Sequence, residues 1–202
     1  MMKKLLILIA IISVTTFMFS GCNKNSDIKT EYFEADWPYY ETTEVLTEKC
    51  SDIFEGKVTN IFFTVLDITT GKISEQAKKE NWLYTVYEIE TTKVYKGEKT
   101  DRKFIAIIGG MSGYKESEQF NLIKKSTIMR NSSNYYIPIL AGWKTMNKGD
   151  SYLFTVCDNG GDYLFIPSIT QFKFEINDTL SSQGNDLPSY SNIKKSLIET
   201  YK

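Results

Sequence analysis

The chain has 202 residues, with 24 Lys or Arg, 25 Asp or Glu and no histidine. The lack of histidine excludes Ser-His-Asp and Cys-His catalytic sets and most zinc sites. The absence of a net positive charge argues against a nucleic-acid partner, which requires a clearly basic face. The 13 Tyr and 12 Phe residues, set against only 4 Pro, favour strands around a substantial core.

The beginning of the chain has the layout of an export signal. Two lysines precede an apolar run over residues 5–19, which is shorter than the about 20 residues that a membrane-spanning helix needs. Ser20-Gly21-Cys22 then resembles the lipobox of bacterial lipoproteins. The resemblance implies that Cys22 receives a diacylglyceryl group, that the chain is cut before it, and that the protein is held outside the cell membrane by lipid. An ordinary secretory signal or an uncleaved anchor is the alternative.

Cleavage before Cys22 leaves 181 residues with a net charge of −3, because residues 1–21 hold two of the cationic residues and none of the acidic ones. We expect a lipidated tether and an aromatic segment over residues 22–41, followed by a single domain over residues 42–202. The aromatic segment either packs over the domain or forms an exposed patch that contacts glycan or peptide. Its candidates for ligand contact are Tyr32, Trp37, Tyr39 and Tyr40.

In this domain, apolar and polar residues alternate along the chain, which is typical of β-strands. A short helix is expected up to Cys50, with a threonine N-cap and with Val45 and Leu46 facing inward. Gly56, inside the first long strand, indicates a bulge. Strands are predicted over residues 53–68, 82–95, 103–108, 151–157, 162–166 and 172–176, with another around 137–143 in the long connection 110–148. The spacing of Ile193 and Leu197 predicts an amphipathic C-terminal helix.

Several stretches recur together in one known order. They are residues 50–58, 84–89, 94–97, 109–110 and 148–154. They resemble the OB-like barrel of the netrin module and of tissue inhibitors of metalloproteinases, as found in small lipoproteins of Gram-positive bacteria. The resemblance implies a mainly β fold, a small OB-like Greek-key barrel of five or six strands, that binds other proteins and catalyses nothing. The inhibitors chelate a protease zinc through a free N-terminal cysteine, and that chemistry does not carry over to an acylated Cys22.

Two further cysteines, Cys50 and Cys157, form an even pair outside the membrane, which is compatible with a disulfide or with two buried thiols. The resemblance favours the disulfide, because Cys50 matches a position where the inhibitors have a disulfide cysteine.

Five cationic residues lie between two predicted strands and are either solvated or in contact with a membrane surface or an anionic polymer. They are Lys93, Lys96, Lys99, Arg102 and Lys103.

The resulting hypothesis is a lipid-anchored, outward-facing binding module whose partner is an envelope protein or polymer. We predict no catalytic, cofactor-binding or metal-binding residue. One alternative is a cell-envelope hydrolase that uses carboxylates such as Glu116, Glu118 or Asp162. Another is a structural component of the envelope without a discrete ligand.

Overall fold

The computed structural model describes residues 28–74, 80–126, 130–131, 134–176 and 188–200. The predicted export signal and the predicted lipidation site Cys22 lie outside these residues. Over the described residues the structure is 43% strand and 17% helix, so the fold is mainly β, as the sequence predicts. In chain order, the elements of the described part are β1 (Thr30–Phe33), α1 (Thr43–Lys49), β2 (Asp52–Asp67), β3 (Asn81–Lys96), β4 (Arg102–Ile108), α2 (Glu116–Ser126), β5 (Arg130–Asn131), β6 (Asn134–Tyr135), β7 (Ile137–Leu140), β8 (Ser151–Asp158), β9 (Leu164–Phe165), β10 (Lys173–Glu175) and α3 (Tyr190–Thr200).

The largest sheet has six strands in the order β10-β8-β2-β3-β4-β9. Its neighbours are antiparallel except for β4 and β9, which are parallel. The short strand β9 also pairs antiparallel with β8, so it has a partner on each side. The six predicted strands of the domain are therefore confirmed, and β8 and β9 form an antiparallel hairpin.

The centre of this sheet is the long antiparallel hairpin of β2 and β3. Both strands are rich in β-branched and aromatic residues, which favour extended backbone. The pairing register shifts at three points, one of them between Glu55 and Gly56. A Cβ atom at Gly56 would lie 2.8 Å from the carbonyl oxygen of Glu90, so the strands approach too closely there for a larger residue. The bulge predicted at Gly56 is confirmed.

Four elements were not predicted, namely β1, α2 and the short strands β5 and β6, which pair with each other. Strand β1 pairs in parallel with β7, so Thr30, in the expected tether, lies opposite Ile137. Strand β7 itself is the predicted short strand of the long connection. The same connection contains α2, which packs on β2 and β3. Buried Gln119 holds this helix in place, since its side-chain amide bonds the backbone of Met111 in both directions, at 3.0 and 2.8 Å.

Helix α1 begins after Thr42, whose side chain accepts a hydrogen bond from the Val45 N–H. Leu46 is buried as predicted, but Val45 is 44% exposed, so the expectation that it faces inward is wrong. The buried stripe of the helix follows Thr43, Leu46 and the C-cap Cys50, at spacings of three and four residues. Val45 lies off that stripe, because neighbouring helical positions point in different directions.

Helix α3 confirms the predicted C-terminal amphipathic helix. Ile193 and Leu197 are buried on one face and pack in an apolar cluster with Leu46 of α1. A polar network beside that cluster fixes the first turn. The Glu55 carboxylate accepts hydrogen bonds from the hydroxyls of Tyr95, at 2.5 Å, and Tyr190, at 3.2 Å. The helix is thus attached to the sheet through both apolar and polar contacts.

Strands β3 and β4 bury apolar side chains on both faces. One face contributes Leu83, Tyr87, Ile105 and Ile107 to the main core. The alternate positions contribute Tyr84, Val86 and Ala106 to a separate cluster with Leu66 of β2. Because side chains alternate along a strand, these two clusters lie on opposite faces of the sheet. The second face is where the candidate site lies.

Candidate functional site

A groove of about 290 Å³ opens on the second face of the sheet. Its lining is mostly apolar and includes Trp37, Ile68, Tyr84, Ala106, Ile108 and Phe165. Two polar residues, Asp36 and Asn159, also line it. Concave apolar surfaces with a few polar groups are the usual form of a ligand site, and we take this groove as the candidate functional site.

The strand pairing explains why the surface is hollow here. Ala106 lies opposite Val86 on one neighbouring strand and opposite Phe165 on the other. A methyl group between two larger side chains leaves a depression. Tyr84 and Phe165 meet edge to face, with ring centroids 6.0 Å apart and an interplanar angle of 83°. Burial, with a smaller contribution from Asp67, raises the pKa of Tyr84 to about 12, so its phenol stays protonated at neutral pH.

Part of the groove lining comes from the strap, which we define as residues 34–41. Its N-terminal end is fixed by the pairing of β1 with β7. Its C-terminal end is fixed at Tyr40, whose backbone N–H donates to the Gln171 side chain at 2.8 Å and whose carbonyl accepts from it at 2.7 Å. Trp37 lies between these two attachments. The groove wall is therefore held at both ends by hydrogen bonds.

The four aromatic residues singled out from the sequence fall into two groups. Tyr32 and Tyr39 are 68% and 64% exposed. Trp37 and Tyr40 are half-buried, Trp37 against the main core and Tyr40 in the cluster of α1 and α3. The segment thus both packs over the domain and presents rings to solvent. Only Trp37 lines the groove, and ligand contact by any of the four stays a prediction.

The indole of Trp37 also carries an unsatisfied donor. Its Nε1 atom is buried and has no hydrogen-bond acceptor among the described residues. Buried indole N–H groups normally find an acceptor, because leaving one unpaired costs on the order of 1–3 kcal/mol. Trp37 therefore lines the groove with part of its ring, while its indole N–H is buried without an acceptor among the described residues.

A second, polar cleft of about 460 Å³ lies between the β3–β4 turn and the β8–β9 turn. Inside it, the buried Lys103 ammonium lies 2.7 Å from the Asp52 carboxylate and 5.4 Å from the centroid of the Phe54 ring. Ser51 donates a further hydrogen bond to Asp52 at 2.7 Å. Gly97, with a φ of +93°, approaches the same carboxylate so closely that a side chain would collide with it.

This pair revises the interpretation of the five cationic residues. Both a solvated cluster and a contact surface require exposed charges, and Lys103 is buried in an ion pair. Lys96 donates to the carbonyl oxygen of Thr47 at 2.9 Å, and Arg102 pairs with Glu88 at 3.0 Å. At least these three cations serve contacts within the fold.

The structure places Cys50 and Cys157 side by side as free thiols. Cys50 is 1% exposed, whereas Cys157 is half-buried at the end of β8. Cys157 packs against the apolar cluster that contains Cys50, and the interaction of the two thiols lowers the pKa of Cys157 and raises that of Cys50. The disulfide favoured from the sequence stays a prediction, but the two sulfur atoms are neighbours.

The carboxylates of the hydrolase alternative have separate surroundings. Glu116 accepts a hydrogen bond from the Gly113 N–H at 2.8 Å, and Glu118 lies 3.6 Å from the Lys115 ammonium. Asp162 lines the polar cleft and accepts from the Ile73 N–H at 3.3 Å. Within the described part of the chain, no group of three or more Cys, Asp and Glu side chains is arranged to hold a metal ion.

Comparison of the sequence with models of known families and with curated proteins finds no match. Across residues 28–200, as far as the structure describes them, no helix is long and apolar enough to cross a membrane. The geometry of the groove and its surroundings is therefore the main basis for a functional conclusion.

Proposed function

We propose that the protein is a non-catalytic binding module, anchored outside the cell membrane through a lipid on Cys22, that binds an apolar side chain of a partner protein in the groove. The observation that carries the proposal is the groove itself, whose wall includes Trp37. Tight contacts between proteins are usually centred on an aromatic or aliphatic anchor that enters a preformed pocket. The two attachments of the strap keep that pocket preformed, which lowers the entropy lost on binding.

The strand connections support an OB-like barrel as the framework. Hydrogen-bonded pairing runs from β2 through β3, β4 and β9 to β8, and β8 pairs again with β2. Five strands paired in such a circular order support the small barrel that the resemblance to netrin-like modules implies. Proteins of that fold class bind ligands through many unrelated surfaces, so the fold alone does not locate a binding site. The evidence for the location of the site is the groove.

The chemistry of the lining supports a peptide rather than a glycan. The mostly apolar lining would remove an aliphatic or aromatic side chain from water, at about 25 cal/mol for each Å² buried. Asp36 adds a carboxylate to the lining and favours a partner with a cationic residue next to its apolar anchor.

Site-specific photo-crosslinking tests the proposal in intact membranes. A benzophenone amino acid replaces Ile68, which lines the groove and is 49% exposed. The matched control carries it at Val45, which is 44% exposed and lies on α1. We expect a discrete protein adduct at position 68 that disappears when Trp37→Ala is added. Equal adducts at both positions, or an adduct at position 68 that survives Trp37→Ala, would contradict the proposal.

A further inference from the structure

The groove uses neither Cys50 nor Cys157, although these two residues form the most chemically reactive pair in the described part of the chain. Their neighbourhood follows from strand pairing. Asp52 of β2 lies opposite Val156 of β8, so Cys157 comes alongside the residues just before β2, and Cys157 packs against the apolar cluster that contains Cys50. Proximity therefore comes from the fold itself, and both sulfur atoms are present as thiols.

The surroundings of the two thiols differ. Cys50 is the C-cap of α1 and is buried in the cluster of α1 and α3. Cys157 is half-buried, and its Sγ atom lies 3.4 Å from the Lys49 carbonyl oxygen, to which the thiol can donate. One sulfur is thus accessible to a reagent from solvent, while the other is accessible only to its neighbour.

Groups around Cys157 favour its thiolate over that of Cys50. The neighbouring Cys50 thiol, the backbone N–H of Ser51 and the positive charge of Lys96 all lower the pKa of Cys157. Burial and the Asp52 carboxylate oppose these contributions, and the net result is a lowered pKa for Cys157. A lowered pKa increases the fraction of Cys157 present as thiolate, and the thiolate is the form that attacks disulfides.

We propose that Cys157 and Cys50 form a thiol–disulfide exchange site, in which Cys157 attacks an external disulfide and Cys50 resolves the mixed disulfide. In the first step, the Cys157 thiolate bonds to one sulfur of the substrate and the other sulfur leaves as a thiolate. In the second, Cys50 loses its proton, its sulfur bonds to that of Cys157, and the second substrate thiolate leaves. The protein dithiol is oxidised by two electrons, and the substrate disulfide is reduced to two thiols, which take up the protons.

The test uses the full chain in detergent with Cys22→Ser, so that only the two thiols of interest remain. The reduced protein is treated with oxidised glutathione, quenched with iodoacetamide and analysed by mass spectrometry. With both cysteines present, we expect an internal disulfide and no lasting adduct. With Cys50→Ser, one glutathione should stay on Cys157. With Cys157→Ser, adduct formation on the buried Cys50 should be at least roughly tenfold slower.

Three outcomes would overturn the proposal. They are a pair that keeps both thiols reduced, a pair that accumulates two glutathione adducts, and equal reaction rates for the two single variants. Brief alkylation of the unmutated pair, followed by peptide mapping, tests the same roles without a substitution at either cysteine. Its result does not depend on whether a variant folds. Labelling of Cys157 before Cys50 in the native protein, and equal labelling in denaturant, is the expected result. Equal labelling in the native protein contradicts the assigned roles.

Discussion

Replacing Lys103 with alanine should destabilise the protein by about 3–5 kcal/mol, because the Asp52 carboxylate would remain buried without its partner. The ammonium and carboxylate lie 2.7 Å apart, and both side chains are almost completely shielded from water. The neighbouring Ser51 hydroxyl cannot neutralise the remaining charge. Urea unfolding followed by circular dichroism gives the free energy of unfolding of the parent and the variant.

The adjacent residue supplies a matched control. Arg102 also forms an ion pair, with Glu88, but its side chain is 71% exposed. Arg102→Ala should therefore cost less than about 1 kcal/mol. The double replacement Asp52→Leu with Lys103→Met removes both buried charges and should recover most of the loss seen in Lys103→Ala. Equal losses in the free energy of unfolding for Lys103→Ala and Arg102→Ala would show that the buried ion pair contributes no more to stability than the exposed one.

Replacing Cys22 with alanine should move the protein from the membrane fraction to the soluble fraction. A diacylglyceryl group contributes about 0.8 kcal/mol for each buried methylene, and two chains give stable anchoring. Partition of cell extracts between detergent and aqueous phases measures the change, and incorporation of labelled fatty acid reports the modification itself. We expect the Cys22→Ala variant to lose both its partition into the detergent phase and its incorporation of labelled fatty acid.

Cys50→Ala is the control for this experiment, because it removes a cysteine that lies buried in the folded domain. Its lipid incorporation and its partition should match those of the parent. A Cys22→Ala variant that stays as firmly bound as the parent, with unchanged fatty-acid incorporation, would contradict the lipid anchor. The apolar leader would then have to hold the protein by itself.

Runs of β-branched and aromatic residues predicted the strands well, because β3 and β4 bury apolar side chains on both faces. The same patterns could not reveal β1, since its four residues gain their regular structure from β7, more than one hundred residues later. Helix α2 was missed for a related reason. Its sequence is largely polar, and its fixed position depends on Gln119 hydrogen-bonding to Met111 and Tyr114, which no periodicity indicates.

The candidate site was predicted only in part. The aromatic strap was recognised from composition, and Trp37 proved to line the groove. Ala106 and Phe165 were not connected with it, because the depression depends on which residues face each other across three strands. The burial of Lys103 was equally invisible, since its partner Asp52 lies 51 residues earlier. In the sequence, Lys103 reads as one of five cations at a turn.

Selection from a random-peptide display library tests the central claim, that the groove binds an apolar anchor of a protein partner, most directly. The unmutated protein and Trp37→Ala are immobilised in parallel, with Tyr32→Ala as a control for an exposed tyrosine on β1, outside the strap. We expect enriched peptides that share an aromatic or branched aliphatic residue, with binding lost by at least roughly tenfold in Trp37→Ala and retained in Tyr32→Ala. Enrichment of the same peptides on Trp37→Ala, or no enrichment on the unmutated protein, would contradict the claim.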